Sequence, residues 1–359
     1  MRKLNLDYLE PVHDSVKPNA TTEFWRRIIT PAECEELLHV ETAWLALGRG
    51  FSGEQLDPQR MIFLDIETTG LGAASMAFLV GLAYYVNDNL VVEQLLALDY
   101  PGEADVLHAL HERLQNYDTI ITFNGNSFDL PLLQGRFVYH KMTSGFPQER
   151  VDLCVLARRV FSRRLKRCNQ QRMECELLGL QRQNDLSGSE IPGRYFRFLK
   201  EGDEGLLDSI LLHNRLDVQC MAQIAAQLCM QLSQPLDCCH EDDLFDVGRL
   251  MQLSQLDESA HACYTAVQGA LKSLAQKQQA ELFRRQADLQ NAVRLWEKMC
   301  GEKCAETYPY IALAKHYEHR LRQPDKSLAF AIKALEVCSD LEKEEIEHRI
   351  KRLQRKVIS

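Results

Sequence analysis

An apolar run that ends in acidic residues is the clearest pattern in the chain. Residues 61–64 are all apolar, Asp65 and Glu67 follow, and Gly70 breaks the segment. This pattern predicts a buried strand, and residues two apart in a strand point to the same face. Two carboxylates held side by side repel each other unless a positive group lies between them, and a divalent cation is one such group. A strand end with two solvated acids fits the same residues.

Further apolar runs predict a sheet around this strand. Residues 77–86 and 90–98 are strand-like and are separated by the turn-forming segment 87–89, so we expect an antiparallel meander. A helix is predicted at about 103–116, followed by a buried strand at 119–123. This crossover would return the second strand parallel to the first, with its carboxyl end beside the acids.

Two later segments add candidate groups to the same sheet edge. Asp129 follows the polar break 124–127 and opens a predicted helix, where the helix dipole alone would also favour an acid. His213 and Asp217 lie four residues apart on a long helix predicted at about 205–233. This spacing places both side chains on one helix face, where a surface hydrogen bond is the alternative to a site.

The pattern along the chain also predicts three regions. Residues 1–60 read as a short helical extension with a helix start at 30–33, residues 61–235 as the α/β domain, and residues 240–359 as helices only. Three windows in the last region share a small residue followed by a larger side chain four positions later. They are Ala260 and Tyr264, Ala292 and Trp296, and Ala329 and Lys333. Their spacing predicts tetratricopeptide-like helical hairpins, which would offer a groove to a protein partner.

Composition and charge narrow the classes of function. With 359 residues and 45% hydrophobic content, the chain is long enough for two domains. Its net charge of −9 argues against general adhesion to nucleic acid. The charge is uneven, however, because residues 158–172 contain seven basic residues and no acid. This segment is either a solvated face or a surface that binds phosphate.

The location of the protein is predicted from what the sequence lacks. The first residues are polar and of mixed charge, without the apolar core of a signal peptide, and no apolar run is long enough to span a bilayer. The 12 cysteines show no framework spacing and are best explained as reduced thiols. We therefore expect a cytoplasmic protein without a membrane partner.

Three separated segments together resemble the exonuclease motifs of the DEDD superfamily. They are DIETTGL (65–71), FNGNSFD (123–129) and HNRLDV (213–218). The chain also resembles the YprB-type family of RNase H-like exonucleases, with ELLG (176–179) and IPG (191–193) as further points of likeness. The resemblance covers roughly residues 61–232. It implies an RNase H-like mixed sheet flanked by helices, followed by an all-α helical-repeat domain.

The resemblance also implies an activity and a role for each acid. The activity would be 3′→5′ hydrolysis of nucleic acid with two Mg²⁺ or Mn²⁺ ions, which need no protein nucleophile. Asp65 would contact both ions, and Glu67 and Asp217 would complete the shell of the first. Asp129 would hold the second ion, partly through water. His213 would accept a proton from the attacking water, although the histidine class of the superfamily usually places this residue five positions before the last aspartate rather than four.

Substrate-binding residues are predicted on weaker grounds. By analogy with proofreading enzymes, Leu71 would wedge against the terminal base, and Asn124 in the second motif would contact the substrate. Four arginines are assigned to the nucleic-acid backbone from charge alone. These are Arg158, Arg159, Arg163 and Arg164.

Two other functions remain open from sequence. The first is a non-catalytic adaptor for nucleic acid or protein on a nuclease fold, with the helical repeats carrying the function. The second is an endonuclease on the same fold. The choice between DNA and RNA also stays open, because it depends on contacts around the 2′-position that the sequence does not locate.

Overall fold

The chain folds into two compact units, Met1–Gln234 and Pro235–Ser359. The computed structural model describes residues 15–16, 24–30, 34–47, 54–72, 74–183, 185–302 and 305–358. The first unit combines a mixed sheet with helices, and the described part of the second is built from helices. The predicted fold class, an α/β domain followed by an all-α region, is therefore confirmed.

Within the described residues the sheet has seven strands in the order β1-β2-β5-β4-β3-β6-β7. The strands are β1 (Ser15–Val16), β2 (Phe24–Ile29), β3 (Met61–Thr68), β4 (Ala77–Val86), β5 (Asn89–Ala97), β6 (Thr119–Thr122) and β7 (Glu149–Asp152). Strand β3 lies between β4 and β6, antiparallel to β4 and parallel to β6. The carboxyl ends of β3 and β6 therefore meet at one edge of the sheet.

The predicted meander and crossover are confirmed. A tight turn joins β4 to β5, and its residues Asn87 and Asp88 have φ values of 49° and 65°. Both residues tolerate this left-handed conformation, which a two-residue hairpin requires. Strand β7, parallel to β6, was not predicted from sequence. Its residues are ERVD, and a single apolar side chain gives no strand pattern.

Helices pack on the sheet and complete the first unit. They are α1 (Glu103–Leu114), α2 (Asp129–Tyr139), α3 (Leu153–Phe161), α4 (Gln170–Met173), α5 (Ile191–Glu201) and α6 (Gly205–Ser233), with a π-helical turn at Glu174–Leu178. Helix α6 contacts β3, β4 and β5. Tyr195 of α5 is buried and stacks on Phe78 of β4, with ring centroids 3.8 Å apart. These contacts fix α6 and α5 relative to the strands.

The N-terminal region differs from the predicted helical extension. Strand β2 pairs antiparallel with β5, and Arg26 in β2 forms an ion pair of 2.5 Å with the buried Glu93 in β5. Short 3₁₀ turns follow at Glu36–His39 and Thr42–Ala46. Most of the helix start predicted at 30–33 lies outside the described residues. The strand forms because it covers the edge of β5, a long-range contact that local periodicity does not report.

The described helices of the second unit form three successive pairs and a final long helix. They are α7 (Glu241–Leu253), α8 (Asp257–Ala266), α9 (Lys272–Arg285), α10 (Leu289–Gly301), α11 (Tyr308–His319), α12 (Pro324–Val337) and α13 (Asp340–Ile358). Each helix packs against the next.

The sequence windows chosen for the helical repeats fall on the second helices of these pairs. The small and large residues of the first two windows are buried on α8 and α10. The third window is wrong, because Ala329 and Lys333 are exposed and the buried small residues of α12 are Ser327, Ala331 and Ala334. The assignment to the tetratricopeptide type remains a prediction.

None of the described helices combines the length and the apolar character needed to cross a bilayer.

Candidate active site

Strand β3 brings two carboxylates to the sheet edge. Its residues Met61–Leu64 are buried, whereas Asp65 and Glu67 are half-buried and lie two positions apart. The pairing with β6 ends at Phe63. Beyond that point β3 runs past its parallel neighbour, so its last residues border an open space.

A buried polar chain orients Asp65. The Asn214 amide Nδ2 donates to Asp65 Oδ2 at 3.0 Å, and Gln94 Nε2 donates to Asn214 Oδ1 at 3.0 Å. Asn214 is fully buried on α6. Gly81, which pairs with Asp65 across the sheet, leaves the room that this amide occupies, since a Cβ there would lie 2.3 Å from Asn214 Oδ1. The carboxylate of Asp65 is thus held by a fixed donor.

Asp129 reaches the same edge from the neighbouring strand. It is the first residue of α2, follows β6, and is 7% exposed. The backbone of Ile66 hydrogen-bonds to its carboxylate. This contact ties the start of α2 to β3, the strand that carries the other two acids.

Helix α6 supplies His213 and Asp217. His213 Nε2 lies 3.2 Å from Asp217 Oδ2, as expected for residues one turn apart. The guanidinium of Arg182 donates to Asp217 Oδ1 at 2.5 Å, and Gln170 Nε2 donates to the same oxygen at 3.1 Å. The other ring nitrogen of His213, Nδ1, lies 2.8 Å from Asp185 Oδ1. Both nitrogens of the ring therefore face a carboxylate.

The electrostatics show that the four acids lie together. Burial raises the pKa of Asp65 well above its usual range, and the charges of Asp217 and Glu67 raise it further. Burial likewise raises the pKa of Glu67, with added repulsion from Asp217 and Asp129. Burial raises the pKa of Asp129 to about 7, despite hydrogen bonds from its own backbone and from Ile66. Burial is the largest cause of each shift, and the added repulsion comes from other carboxylates of this group, which places them near one another.

The donor set suits a hard divalent cation. One ligand atom from each of Glu67, His213 and Asp217 lies within 4.8 Å of the others, a spacing at which one ion can be held. Asp65 and Asp129 add carboxylate oxygens around this group, and such oxygens are the preferred ligands of Mg²⁺ and Mn²⁺. A cation placed there would also relieve the repulsion that raises the carboxyl pKa values.

A cavity of about 690 Å³ opens on this centre. Asp65, His213 and Asp217 line it together with three basic residues. These are Arg158 at the end of α3 and Lys166 and Arg167 in the segment before α4. Acids that could hold a metal ion and basic side chains that could bind phosphate therefore line the same cavity.

The four predicted arginines are not placed alike. Arg158 lines the cavity, but Arg159, Arg163 and Arg164 are not among its lining residues. Arg164 instead pairs with Glu176 at 2.8 Å. Lys166 takes a place in the lining that the sequence had assigned to these arginines, because a count of charges does not tell which way each side chain points.

The remaining predicted residues flank the centre. Asn124 lines the cavity, has a left-handed φ of 67°, and donates its backbone N–H to Asp152 Oδ1 at 2.8 Å. Asp152 also accepts from Cys154 N at 3.0 Å and so caps the start of α3. Leu71 is 88% exposed just after β3. Its role as a wedge remains a prediction.

Several residues of the site were missed from sequence. They are Gln94, Gln170, Arg182, Asp185 and Asn214. Asn214 lies within the third motif, so its position gave a signal that was not used. The others are distant in sequence from the residues of α6 that they contact, and their spacing carries no such signal.

Part of the chain is similar in sequence to a known protein family. Residues 62–229 match the family model described as the RNase H superfamily. The match spans the sheet from β3 onward and all four acids. These residues are therefore similar to RNase H-like domains, in agreement with the mixed sheet and flanking helices of the first unit.

A relative extends the similarity beyond this domain. The chain is 29% identical over 340 residues to the Bacillus subtilis (strain 168) protein named Uncharacterized protein YprB. The similarity covers 90% of this chain and 82% of that protein. It therefore includes most of the helical second unit as well as the nuclease-like domain.

Proposed function

We propose that the protein is a divalent-metal-dependent 3′→5′ exonuclease that hydrolyses phosphodiester bonds in single-stranded nucleic acid. The observation that carries this proposal is the gathering of Asp65, Glu67, Asp129 and Asp217 from three separate segments at one sheet edge. Such a cluster destabilises the fold when its acids are ionised, and a bound divalent cation would remove this repulsion, which supports metal binding. The RNase H-like fold of residues 62–229 supports a nucleic-acid substrate.

The residues present define the roles in this mechanism. Two Mg²⁺ or Mn²⁺ ions held by the four carboxylates would supply Lewis-acid catalysis to the phosphodiester. Asn214 and Gln94 keep Asp65 oriented for this task. His213 is assigned the general base, accepting a proton at Nε2 from the attacking water. The ring nitrogen assigned to this task is the one that faces Asp217.

The basic lining of the cavity is assigned to the substrate backbone. Arg158, Lys166 and Arg167 would contact phosphates on either side of the scissile bond. Replacing Lys166 and Arg167 by alanine should raise KM several-fold and reduce its salt dependence, with kcat little changed. The matched control is Arg197→Ala, which removes an exposed arginine paired with Glu201 on α5.

The activity is tested with labelled DNA and RNA oligonucleotides whose 3′ or 5′ ends are blocked, with and without Mn²⁺. We expect shortening from a free 3′ end and no digestion in EDTA. Asp65→Asn should lower kcat by about 10³-fold, since it removes several kcal/mol of metal-dependent stabilisation. The exposed Asp105 on α1 provides the control, and Asp105→Asn should digest at the wild-type rate.

Other outcomes of the same assay would identify the alternative functions. Digestion that persists in Asp65→Asn would contradict the proposal. Cleavage of circular single strands would indicate an endonuclease. Binding without any cleavage under all metal conditions would favour a non-catalytic adaptor.

The helical unit is assigned a supporting role. We infer that its helix pairs are of tetratricopeptide type and bind a protein partner in the cytoplasm. A cavity of about 790 Å³ lies among α9, α10, α11 and α13 and is lined by Trp296, Tyr308 and charged side chains. Helix-pair stacks commonly use such concave surfaces for binding.

A further inference from the structure

We propose that Asp185 is a positioning residue that fixes the ring of His213, so that Nε2 of the ring faces the metal-binding carboxylates. This inference rests on the proposed function and deepens it, because it explains how a histidine four residues before Asp217 is aimed. Asp185 lies in the segment between the π-helical turn and α5, far from His213 in sequence.

The first support is the pair of contacts made by the imidazole ring. Nδ1 lies 2.8 Å from Asp185 Oδ1, and Nε2 lies 3.2 Å from Asp217 Oδ2. His213 is 8% exposed, so its ring has little room to turn. An ionised carboxylate only accepts hydrogen bonds, so the shorter of the two contacts, from Nδ1 to Asp185, is assigned the single proton of the neutral ring. A neutral ring with a proton on Nδ1 has a free lone pair on Nε2.

The second support is the way Asp185 itself is held. Arg182 Nη1 donates to Asp185 Oδ2 at 3.1 Å, while Arg182 Nη2 donates to Asp217 Oδ1 at 2.5 Å. Arg182 also pairs with the buried Glu174 at 2.5 Å, and its side chain is 6% exposed. One guanidinium therefore fixes both carboxylates that flank the His213 ring. Planar, permanently charged arginine suits such a fork.

A purely structural role for Asp185 makes a different prediction. If Asp185 only anchored its loop against α6, its loss would lower stability and weaken the whole site whether or not His213 was present. If Asp185 acts through His213, its loss should matter only while His213 is there. The two roles therefore differ in the coupling between the two residues.

The kinetic test is a double-mutant cycle with Asp185→Asn and His213→Gln in the full chain, assayed with Mn²⁺ and a single-stranded oligonucleotide. We expect Asp185→Asn alone to lower kcat by about 10²- to 10⁴-fold, with KM within about threefold of wild type. In the His213→Gln background the same change should lower kcat by less than about threefold. Ser187→Ala, which alters an exposed side chain of the same loop, should behave as wild type. Equal losses in both backgrounds would overturn the proposal.

A second measurement does not depend on cleavage. The ¹⁵N chemical shifts of the His213 ring report which nitrogen carries the proton, once the pH is high enough for the ring to be neutral. The His213→Gln variant identifies its signals among those of the 11 histidines. We expect the Nδ1–H tautomer in the wild type. Asp185→Asn should shift the ring toward Nε2–H, because its amide can donate to Nδ1 while Asp217 accepts from Nε2.

The ring tautomer and the nuclease assay test the positioning role of Asp185 and the proposed exonuclease activity separately. An Nε2–H ring in the wild-type protein would overturn the positioning role of Asp185, whatever the nuclease assay shows. An Nδ1–H ring in a protein that digests no oligonucleotide would support the positioning and contradict the proposed exonuclease.

Discussion

Buried acids have basic partners in one unit of this protein and lack them in the other. In the helical unit, Glu318 on α11 is met by Arg349, Arg352 and Lys356 of α13, with N–O distances of 2.7–3.0 Å. Burial alone would raise its pKa, but the hydrogen bond from Lys356 and the charge of Arg352 lower it below the usual range. The protein itself supplies the compensating charge there.

The sheet edge of the first unit lacks that compensation. Among the described residues, no lysine or arginine forms an ion pair with Asp65, Glu67 or Asp129, and burial and mutual repulsion raise all three carboxyl pKa values. Arg182 is committed to Asp217 and its neighbours. The comparison shows that burial of an acid does not by itself indicate a functional site. A cluster of buried acids without lysine or arginine partners does indicate one, because the cluster needs a cation from solution.

The largest expected effect comes from removing His213. It tests whether the imidazole acts as the general base or instead binds the metal ion together with the carboxylates. His213→Gln should lower kcat by about 10²- to 10⁴-fold, because the general base is lost, while the affinity for Mn²⁺ changes little. Oligonucleotide kinetics and calorimetric titration with Mn²⁺ measure the two quantities. A collapse of Mn²⁺ affinity would instead make the imidazole a metal ligand beside Glu67 and Asp217.

The next effect concerns pH. In the metal-free protein the raised pKa values mean that the folded state holds protons more tightly than the unfolded state. The stability contributed by these groups is present below the unfolded pKa and is lost as pH rises through about 7, the pKa of Asp129. Mn²⁺ should therefore raise the thermal midpoint more near pH 8 than near pH 5.5. At about a hundredfold excess over Kd the gain at the higher pH should be about 2.7 kcal/mol.

A matched variant sharpens this pH prediction. Asp65→Asn removes one of the repelling charges, so the metal-free variant should lose less stability than the wild type as pH rises. Its thermal midpoint should also respond less to Mn²⁺. An equal pH dependence in the two proteins would show that the repulsion at the sheet edge is not the cause.

A smaller effect tests the polar chain behind Asp65. Gly81→Ala places a methyl group against the buried Asn214 amide, so we expect a loss of about 1–3 kcal/mol in stability and a fall in kcat. Gly135 in α2 is the control, because a Cβ there meets nothing within 4 Å. Gly135→Ala should leave activity unchanged and stabilise the protein by up to about 1 kcal/mol. Denaturant unfolding and oligonucleotide kinetics give both values.

The smallest expected effect is on stability and comes from Glu318, the acid with basic partners in the helical unit. Glu318→Gln should cost about 1–2 kcal/mol, limited by the partial exposure of Arg352 and Lys356. Its lowered pKa means that the stability it contributes is present above the unfolded pKa and is lost as pH falls through the folded value. This direction is opposite to that of the sheet edge. Wild-type nuclease activity in this variant would separate the structural acid from the candidate catalytic ones.

The sequence predicted the features that depend on local periodicity. The strand that carries Asp65 and Glu67, the crossover that brings Asp129 beside it, and the one-turn spacing of His213 and Asp217 all follow from the periods of strand and helix. Their approach to one edge follows from the rule that parallel strands end on the same side. These local signals made the four acids candidates, and the resemblance of their three segments to the DEDD motifs assigned them to one site.

Features that depend on long-range contacts were not predicted. Strand β2 forms because β5 offers it an edge, and Arg164 points to Glu176 because the π-helical turn places that acid beside it. Arg182 and Asp185 reach α6 from an irregular segment whose path no periodicity describes. In each case the partner is set by tertiary packing, which the order of residue types alone does not encode.

The central claim is that the acids at the end of β3 lack compensating charge and bind divalent cations. Calorimetric titration of the metal-free full chain with Mn²⁺ tests it most directly, with Asp65→Asn and Glu318→Gln as the paired variants. The account predicts saturable binding by the wild type and by Glu318→Gln, and loss of binding in Asp65→Asn. Absence of Mn²⁺ and Mg²⁺ binding in the wild type, or unchanged affinity in Asp65→Asn, would contradict it.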